Sequence, residues 1–467
     1  MARHPPDPLR LTLAFVAAVT ALRLFALFAT PLELYPDEAQ YWLWSRELAW
    51  GYFSKPPMVA WLIAISTGLG GDGEAWIRLP AALAHAGAAL ALFGAGATLH
   101  DRWTGFWAAV IYSLMPGVQL SAGVMTTDAP LLLFLSLAVW GYALLLRSDR
   151  RRMGAAATFG AALGLAFLSK YAALYLLGGA ALHAAVAREA RLLWTPRALA
   201  AASAGFCALA LPNLIWNARN GFSTVAHTAE NANWAEADRF NPGELFGFLS
   251  AQLGVFGPLP FVLLLIAPVA LAARGRLSRD DLALLCLALP PLLVVAVQAF
   301  ISRANANWAV AAYAPGSVLA AAWLVRWRAR GLLGATVVLQ GGLALVFLAA
   351  VVSPALTTRL GLDNGAKRAR GWAEMSRALE ARAASGGWTA VTTDDRFLFN
   401  ALAYYARDFW ARPGAPPLRM WVREASPQNQ AEAEAPLTPA LAGRVLHASL
   451  TPAYRPEAAR DFVLWRP

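Results

Sequence analysis

Two adjacent carboxylates, Asp37 and Glu38, follow the first long apolar run of the chain, residues 11–30. A carboxylate at the edge of a bilayer is costly to desolvate, so its presence there indicates a function. Three aromatic residues flank the pair: Tyr35, Tyr41 and Trp42. An acidic and aromatic segment suits a general base that works on a lipid-borne substrate. The alternative is an interfacial loop whose acids only face water.

Other unusual polar residues lie at the ends of apolar runs, on the same predicted side of a membrane. They are Lys55, Arg78, Asp128, Lys170, Tyr171, His227, Glu230, Asn231, Arg303, Asn307 and Trp308. Long polar loops on that side would explain some of them. They explain Lys170 poorly, because almost no loop separates the two apolar runs on either side of it. We therefore predict one outward-facing polar cavity near the membrane surface.

The composition identifies the class of protein that carries these residues. The chain has 467 residues, of which 58% are hydrophobic and 14% are charged. Soluble domains carry about 25% charged residues. With repeated apolar runs of about 20 residues, this predicts an all-α polytopic membrane protein. The net charge of +11 lies largely in short loops, so it predicts membrane topology and no nucleic-acid partner. Cys207 and Cys286 lie within apolar runs and are expected to be packing residues.

The apolar runs predict about eleven membrane spans. They cover residues 11–30, 76–99, 105–120, 129–146, 153–169, 171–187, 198–216, 254–273, 281–300, 308–325 and 331–352. A shorter run at 57–69 suits a re-entrant or juxtamembrane helix. Arginines concentrate in alternate loops, including Arg147, Arg150, Arg151 and Arg152 in one of them. The positive-inside rule then places the N-terminus in the cytoplasm and the polar cavity in the periplasm. Arg23, inside the first span, is expected to snorkel or to pair with another helix.

The C-terminal part of the chain differs from the rest. Residues 1–352 form the predicted transmembrane domain, and residues 353–467 form a polar tail. A strand-like piece at 388–393 precedes a helix-like run at 396–406, with Asp394 or Asp395 as its N-cap. We predict a small periplasmic α/β domain.

The periplasmic side of a bacterial inner membrane has no nucleotide pool, so an enzyme there needs a lipid-linked donor. A sugar on polyprenyl phosphate leaves a phosphate behind, and cations must stabilise that phosphate. The candidate cations are Lys55, Arg78, Lys170 and Arg303. Walker A, HExxH and GxSxG motifs do not occur in the sequence. His227 and Glu230 permit a divalent metal without requiring one, and no cofactor is required.

These motifs resemble the dolichyl-phosphate-mannose protein mannosyltransferase-like family, which includes bacterial lipid A aminoarabinose transferases. The resemblance rests on residues 35–42, 53–58, 78–80, 127–130, 169–171, 212–217, 220–222, 227–231 and 306–308. It implies the GT-C fold with juxtamembrane helices in the first outer loop. It also implies inverting transfer of a sugar from polyprenyl phosphate, with Asp37 as the base. Lys55, Arg78 and Lys170 would contact the donor phosphate, and Asp128 would lie in the same cavity.

Several alternatives remain open at the level of sequence. The acceptor could be a hydroxyl or phosphate of lipid A, lipopolysaccharide core, another glycolipid or a protein. A flippase of lipid-linked sugars could use the same polar residues, although such transporters usually have internal symmetry, which this sequence lacks. A non-catalytic subunit of an envelope-assembly complex would tolerate the loss of Asp37, Lys55 and Lys170 together.

Overall fold

The structure is a computed structural model, and it describes residues 6–147, 152–232, 240–441, 443–451 and 462. Arg150 and Arg151 of the basic loop lie outside these residues. Contacts within the chain divide it into two units. The first comprises Met1–Pro31 and Leu48–Gly361, and the second comprises Leu32–Glu47 and Leu362–Pro467. The second unit therefore contains the Asp37–Glu38 segment in addition to most of the polar tail, and the first nine residues of the predicted tail belong to the first unit.

Most of the described chain is helical. In order, the helices are α1 (Pro8–Ala29), α2 (Pro36–Trp44), α3 (Met58–Gly70), α4 (Glu74–Leu99), α5 (Arg102–Leu114), α6 (Pro116–Gly123), α7 (Asp128–Arg147), α8 (Arg152–Ser169), α9 (Leu174–Val186), α10 (Arg188–Leu193), α11 (Pro196–Arg219), α12 (Ser223–Glu230), α13 (Pro242–Val255), α14 (Pro258–Ala273), α15 (Arg279–Ile301), α16 (Tyr313–Arg326), α17 (Arg330–Val352), α18 (Pro354–Arg359), α19 (Asp363–Ala366), α20 (Trp372–Ala384), α21 (Arg396–Tyr405), α22 (Arg407–Trp410) and α23 (Gln430–Glu434). Short 3₁₀ segments cover Tyr171–Ala173, Ala306–Ala312, Lys367–Ala369 and Pro439–Leu441.

Among the described residues, eight helices are long and apolar enough to cross a membrane, or nine if a bent pair counts as one span. The pair is α13 and α14, and the chain bends by 117° between them. The sequence predicts about eleven spans, and two of these take a different form. Residues 105–120 divide into α5 and α6 around Met115, because Pro116 cannot continue α5. Residues 171–187 start as a 3₁₀ turn and continue as the short helix α9.

The break between α5 and α6 explains the buried arginine of the first span. The Arg23 guanidinium donates to the Ser113 carbonyl at 2.7 Å and to Gln119 Oε1 at 3.3 Å. Ser113 lies in the last turn of α5, where carbonyl groups lack helical partners. Arg23 therefore links α1 to the broken helix, as expected for a helix-paired arginine.

Close helix contacts build the core of the first unit. Gly160 of α8 faces α11, where a Cβ on Gly160 would meet the Ala202 carbonyl oxygen at 1.9 Å. Small residues at such crossings let membrane helices approach closely. At the end of the bundle that holds the basic loops, buried Asp281 accepts two hydrogen bonds from Arg326, at 2.7 and 2.8 Å. The Trp323 indole donates to the same carboxylate at 3.0 Å, which joins α15 to α16.

The second unit contains a three-stranded parallel sheet. Its strands are β1 (Ala390–Thr393), β2 (Leu418–Met420) and β3 (Val445–Ala448), in the order β2-β1-β3. Val391 of β1 is in register with Leu418 on one side and Leu446 on the other. Asp395 caps α21 by accepting from the backbone N–H groups of Phe397 and Leu398. The strand and the capped helix match the sequence pattern of the tail.

Candidate active site

In the first unit, three segments that are distant in sequence meet around Asp128. Asp128 begins α7, and Lys170 follows the end of α8. Lys170 Nζ lies 2.7 Å from Asp128 Oδ1, and Asn307 Nδ2 donates to Asp128 Oδ2 at 2.6 Å. The Asp128 carboxylate is nearly buried, while the Lys170 side chain keeps 23% of its surface exposed. The structure thus brings together three of the predicted cavity residues.

This pairing changes how Lys170 can act. An ammonium group has three N–H donors, and Asp128 accepts from one of them. The carboxylate fixes the position of the ammonium and offsets its charge. Lys170 can then contact a phosphate through its remaining donors, as part of a neutral pair. The prediction that it contacts the donor phosphate remains a prediction.

A second polar network starts at the next residue. Tyr171 Oη donates to Asn213 Oδ1 at 3.1 Å, and Asn217 Nδ2 donates to Tyr171 Oη at 3.0 Å. Asn213 Nδ2 in turn donates to the Trp50 carbonyl at 2.6 Å. Both asparagines are buried in α11, and they project from one face because they are four residues apart. The network ties α11 to the loop that precedes α3.

That loop carries Lys55. Thr224 Oγ1 donates to the Tyr52 carbonyl at 2.7 Å, and the Tyr52 N–H donates to the Lys55 carbonyl at 3.0 Å. Gly51 lies against Trp216, where a Cβ would meet the ring at 2.4 Å. Contacts at Trp50, Gly51 and Tyr52 therefore fix the loop just before Lys55. Sequence reasoning included Tyr171 among the site residues but did not include Asn213, Asn217 or Thr224.

The other predicted residues of the first unit occupy varied environments. Arg78 is buried near the start of α4, and Arg303 exposes its side chain. His227 of α12 is partly buried and contacts the Phe53 ring edge-on, with ring centroids 6.4 Å apart. Glu230 is exposed at the end of α12, and Asn231 caps that helix. Trp308 packs against the bundle core.

Within the described ranges, no three His, Cys, Asp or Glu side chains are grouped so that they could hold a metal ion.

The second unit carries Asp37 and Glu38 in the first turn of α2. The Tyr35 N–H donates to Glu38 Oε2 at 2.8 Å, and Glu38 is fully buried. Glu38 thus caps the helix, and Pro36 at the first helical position favours the same start. Asp37 is partly exposed. The two carboxylates therefore differ in environment: Glu38 is closed off from solvent, and Asp37 is partly accessible.

The aromatic residues of α2 are more buried than a substrate-lining role predicts. Trp42 is 5% exposed, and it packs edge-on against Tyr404 with ring centroids 5.0 Å apart. Tyr41 is 4% exposed and lies beside Trp44 at 5.3 Å. These rings anchor α2, because α2 and α21 pack together within the second unit. Their part in substrate binding remains a prediction.

Arg368 is a neighbour of α2 that sequence reasoning did not identify. Its Nη1 donates to the Tyr35 hydroxyl at 3.0 Å, and its side chain is exposed. This hydrogen bond raises the pKa of Arg368, and the negative charge of Asp37 contributes in the same direction. The residue lies more than 300 positions from α2 in the sequence, so no local pattern could have indicated the contact.

Comparison with known proteins identifies the family. The chain is 37% identical over 400 residues to the lipid A galacturonosyltransferase RgtD of Rhizobium johnstonii, and the match covers 85% of this chain and 82% of that protein. The chain belongs to the GT-C family of glycosyltransferases. The family model for dolichyl-phosphate-mannose-protein mannosyltransferase matches residues 54–216.

Solved structures show the same fold. The apo structure of ArnT from Cupriavidus metallidurans aligns with a TM-score of 0.65 and 19% identity, over 91% of this chain and 88% of ArnT. The ArnT structure bound to undecaprenyl phosphate aligns with a TM-score of 0.63 and 20% identity, over 89% of this chain and 86% of ArnT. The predicted family and the predicted enzyme are confirmed: this GT-C protein is a membrane glycosyltransferase that takes sugar from a lipid-linked donor. These relatives do not support the flippase and assembly-subunit alternatives.

Proposed function

We propose that this GT-C enzyme transfers a galacturonosyl group from a polyprenyl phosphate carrier to a hydroxyl of lipid A or a related glycolipid, on the periplasmic face of the inner membrane. The observation that carries the proposal is the identity to a lipid A galacturonosyltransferase along most of both chains. The undecaprenyl phosphate bound to ArnT, which has the same fold, supports a polyprenyl phosphate donor.

In the proposed reaction, the acceptor oxygen attacks the anomeric carbon of the sugar. The bond from that carbon to the phosphate oxygen breaks, and polyprenyl phosphate leaves with the bonding electrons. The acceptor proton passes to Asp37, the partly exposed carboxylate of the pair. Attack on the face opposite the phosphate inverts the configuration of the sugar.

The leaving phosphate gains negative charge and requires cations. Lys55 lies in the loop held by the asparagine network, and Lys170 is positioned by Asp128. Ammonium groups in fixed positions stabilise developing charge without a cost for reorganisation. We assign Lys55 and Lys170 to the donor phosphate, together with Arg78.

The test replaces the proposed base without changing its shape. We expect Asp37→Asn to lower the rate of transfer to lipid A by roughly 10²–10⁴-fold, the range that general base catalysis supplies. Transfer is measured by mass spectrometry with purified enzyme in nanodiscs. Asp408→Asn is the matched control, because Asp408 is an exposed carboxylate in the same unit. Full activity of a folded Asp37→Asn enzyme would remove Asp37 from catalysis.

A further inference from the structure

The Arg368 guanidinium contacts Tyr35, the residue that precedes α2, and it makes no ion pair in the described part of the chain. Arg370 pairs with Asp363 at 2.9 Å, and Arg412 pairs with Glu380 at 3.4 Å. The Arg368 guanidinium makes one described hydrogen bond, from Nη1 to the Tyr35 hydroxyl. A guanidinium has five N–H donors, so most of its donors remain available.

The position of Arg368 links it to the reaction. Tyr35 immediately precedes α2, and Asp37 lies in the first turn of that helix. The Tyr35 hydroxyl therefore holds the Arg368 guanidinium at the start of the helix that carries the proposed base. An anionic group of the substrate that binds Arg368 would lie near the carboxylate that takes the acceptor proton.

We propose that Arg368 binds the carboxylate of a uronic acid sugar on the lipid-linked donor and so selects that sugar over neutral sugars. The inference rests on the proposed function and identifies the residue that recognises the sugar. A guanidinium presents paired N–H groups in one plane, which matches the two oxygens of a carboxylate. A neutral hexose carries an uncharged hydroxymethyl group in the place of the carboxylate of a uronic acid. An aminosugar would add a repulsive charge.

A phosphate on the acceptor could also bind a guanidinium, so the experiment varies donor and acceptor separately. Purified enzyme in nanodiscs receives polyprenyl phosphate linked to galacturonic acid or to galactose. These donors differ only in the carboxylate. The acceptor is lipid A with or without its phosphates. The variants are Arg368→Ala, Arg368→Lys and the control Arg377→Ala, which alters an exposed arginine of α20.

We expect Arg368→Ala to lower kcat/KM for the galacturonic acid donor by roughly 10–100-fold, the range for hydrogen bonds to a charged group. The loss should appear mainly as a higher KM. Transfer from the galactose donor should change less than about twofold, and Arg368→Lys should recover part of the loss. Arg377→Ala should behave as the wild type with both donors.

Three results would overturn the assignment of Arg368. One is an equal loss with both donors, and another is no loss with either donor. The third is a loss that depends on the phosphates of the acceptor and not on the donor. Wild-type preference for galactose would contradict uronic acid selection while leaving the glycosyltransferase reaction intact. Absence of transfer from both donors would contradict the proposed donor class as well.

Discussion

At the scale of single residues, Asp128 joins two other predicted cavity residues in the first unit. It accepts from Lys170 and Asn307 through its two oxygens. We expect Asp128→Asn to weaken the interaction of residue 128 with Lys170 by about 1.5–3 kcal/mol, which is the range for a hydrogen bond to a charged group. Transfer should fall roughly 10–100-fold, as measured with the purified enzyme. Asp72→Asn, a change at a partly exposed position in the loop before α4, is the control, and an equal loss in both variants would contradict this role.

Sequence patterns identified part of the candidate site at this scale. Asp37, Lys55 and Lys170 are charged residues at the ends of apolar runs, where their cost in free energy makes them noticeable. Asn213 and Asn217 have the four-residue spacing of one helix face, and that spacing was an available signal. No sequence signal indicated the Arg368–Tyr35 contact, because this contact depends on how the tail folds against a segment far away in the sequence.

At the scale of elements, the loop before α3 depends on a close contact at Gly51. A Cβ at this position would meet the Trp216 ring at 2.4 Å, so Gly51→Ala should displace the ring or the loop. Overpacking of this kind costs about 1–3 kcal/mol. We expect a lower thermal midpoint and a higher KM for the donor, because the same loop carries Lys55.

Gly68→Ala is the matched control for that substitution. Gly68 is exposed in α3, and a Cβ there would meet no atom within 4 Å. Alanine also favours helix more than glycine does, so this variant should be as stable as the wild type or more stable. If both variants gave the same thermal midpoint and the same KM, the contact at Gly51 would not matter for the loop.

The helix α23 should respond to pH through Glu434. Glu434 is exposed at the surface, and partial desolvation of its carboxyl group raises its pKa. The hydrogen bond from Gln430 lowers this pKa, and the charge of Glu47 raises it. A carboxyl with a raised pKa binds its proton more tightly in the folded protein. Its contribution to stability is therefore complete below the ordinary pKa of about 4.5 and is lost as the pH rises through the raised value. Glu434→Gln should increase hydrogen-exchange protection of α23 at pH 7.5 but not at pH 4. Unchanged protection of α23 at pH 7.5 would contradict this role of Glu434.

Helix lengths show where sequence reasoning is limited at this scale. Hydropathy identified the long apolar helices, because a continuous apolar run of about 20 residues is rare outside membrane-spanning helices. It could not separate α5 from α6, since the residues on both sides of Pro116 are equally apolar. The sheet of the tail was predicted only at β1. The strands β2 and β3 lack the run of β-branched residues, Val391 to Thr393, that marks β1 in the sequence.

At the scale of the whole molecule, the arginines predict the orientation in the membrane. The positive-inside rule places the Arg326–Arg330 loop in the cytoplasm and the second unit in the periplasm. Alkaline phosphatase fused after the last residue should then be active, and green fluorescent protein fused there should be dark. Fusions after Arg328 should give the opposite pattern. The same pattern from both fusion sites would contradict this topology.

The second unit is assembled from two distant parts of the chain, and this has a consequence for biosynthesis. The ribosome completes α2 early, but the residues that pack against it follow only after roughly 300 more, about 15–60 seconds at usual rates of translation. A nascent or prematurely terminated chain would hold its membrane helices without a folded support for Asp37. The proposed base would therefore be positioned only when translation is complete, so incomplete chains in the membrane would not consume the lipid-linked sugar.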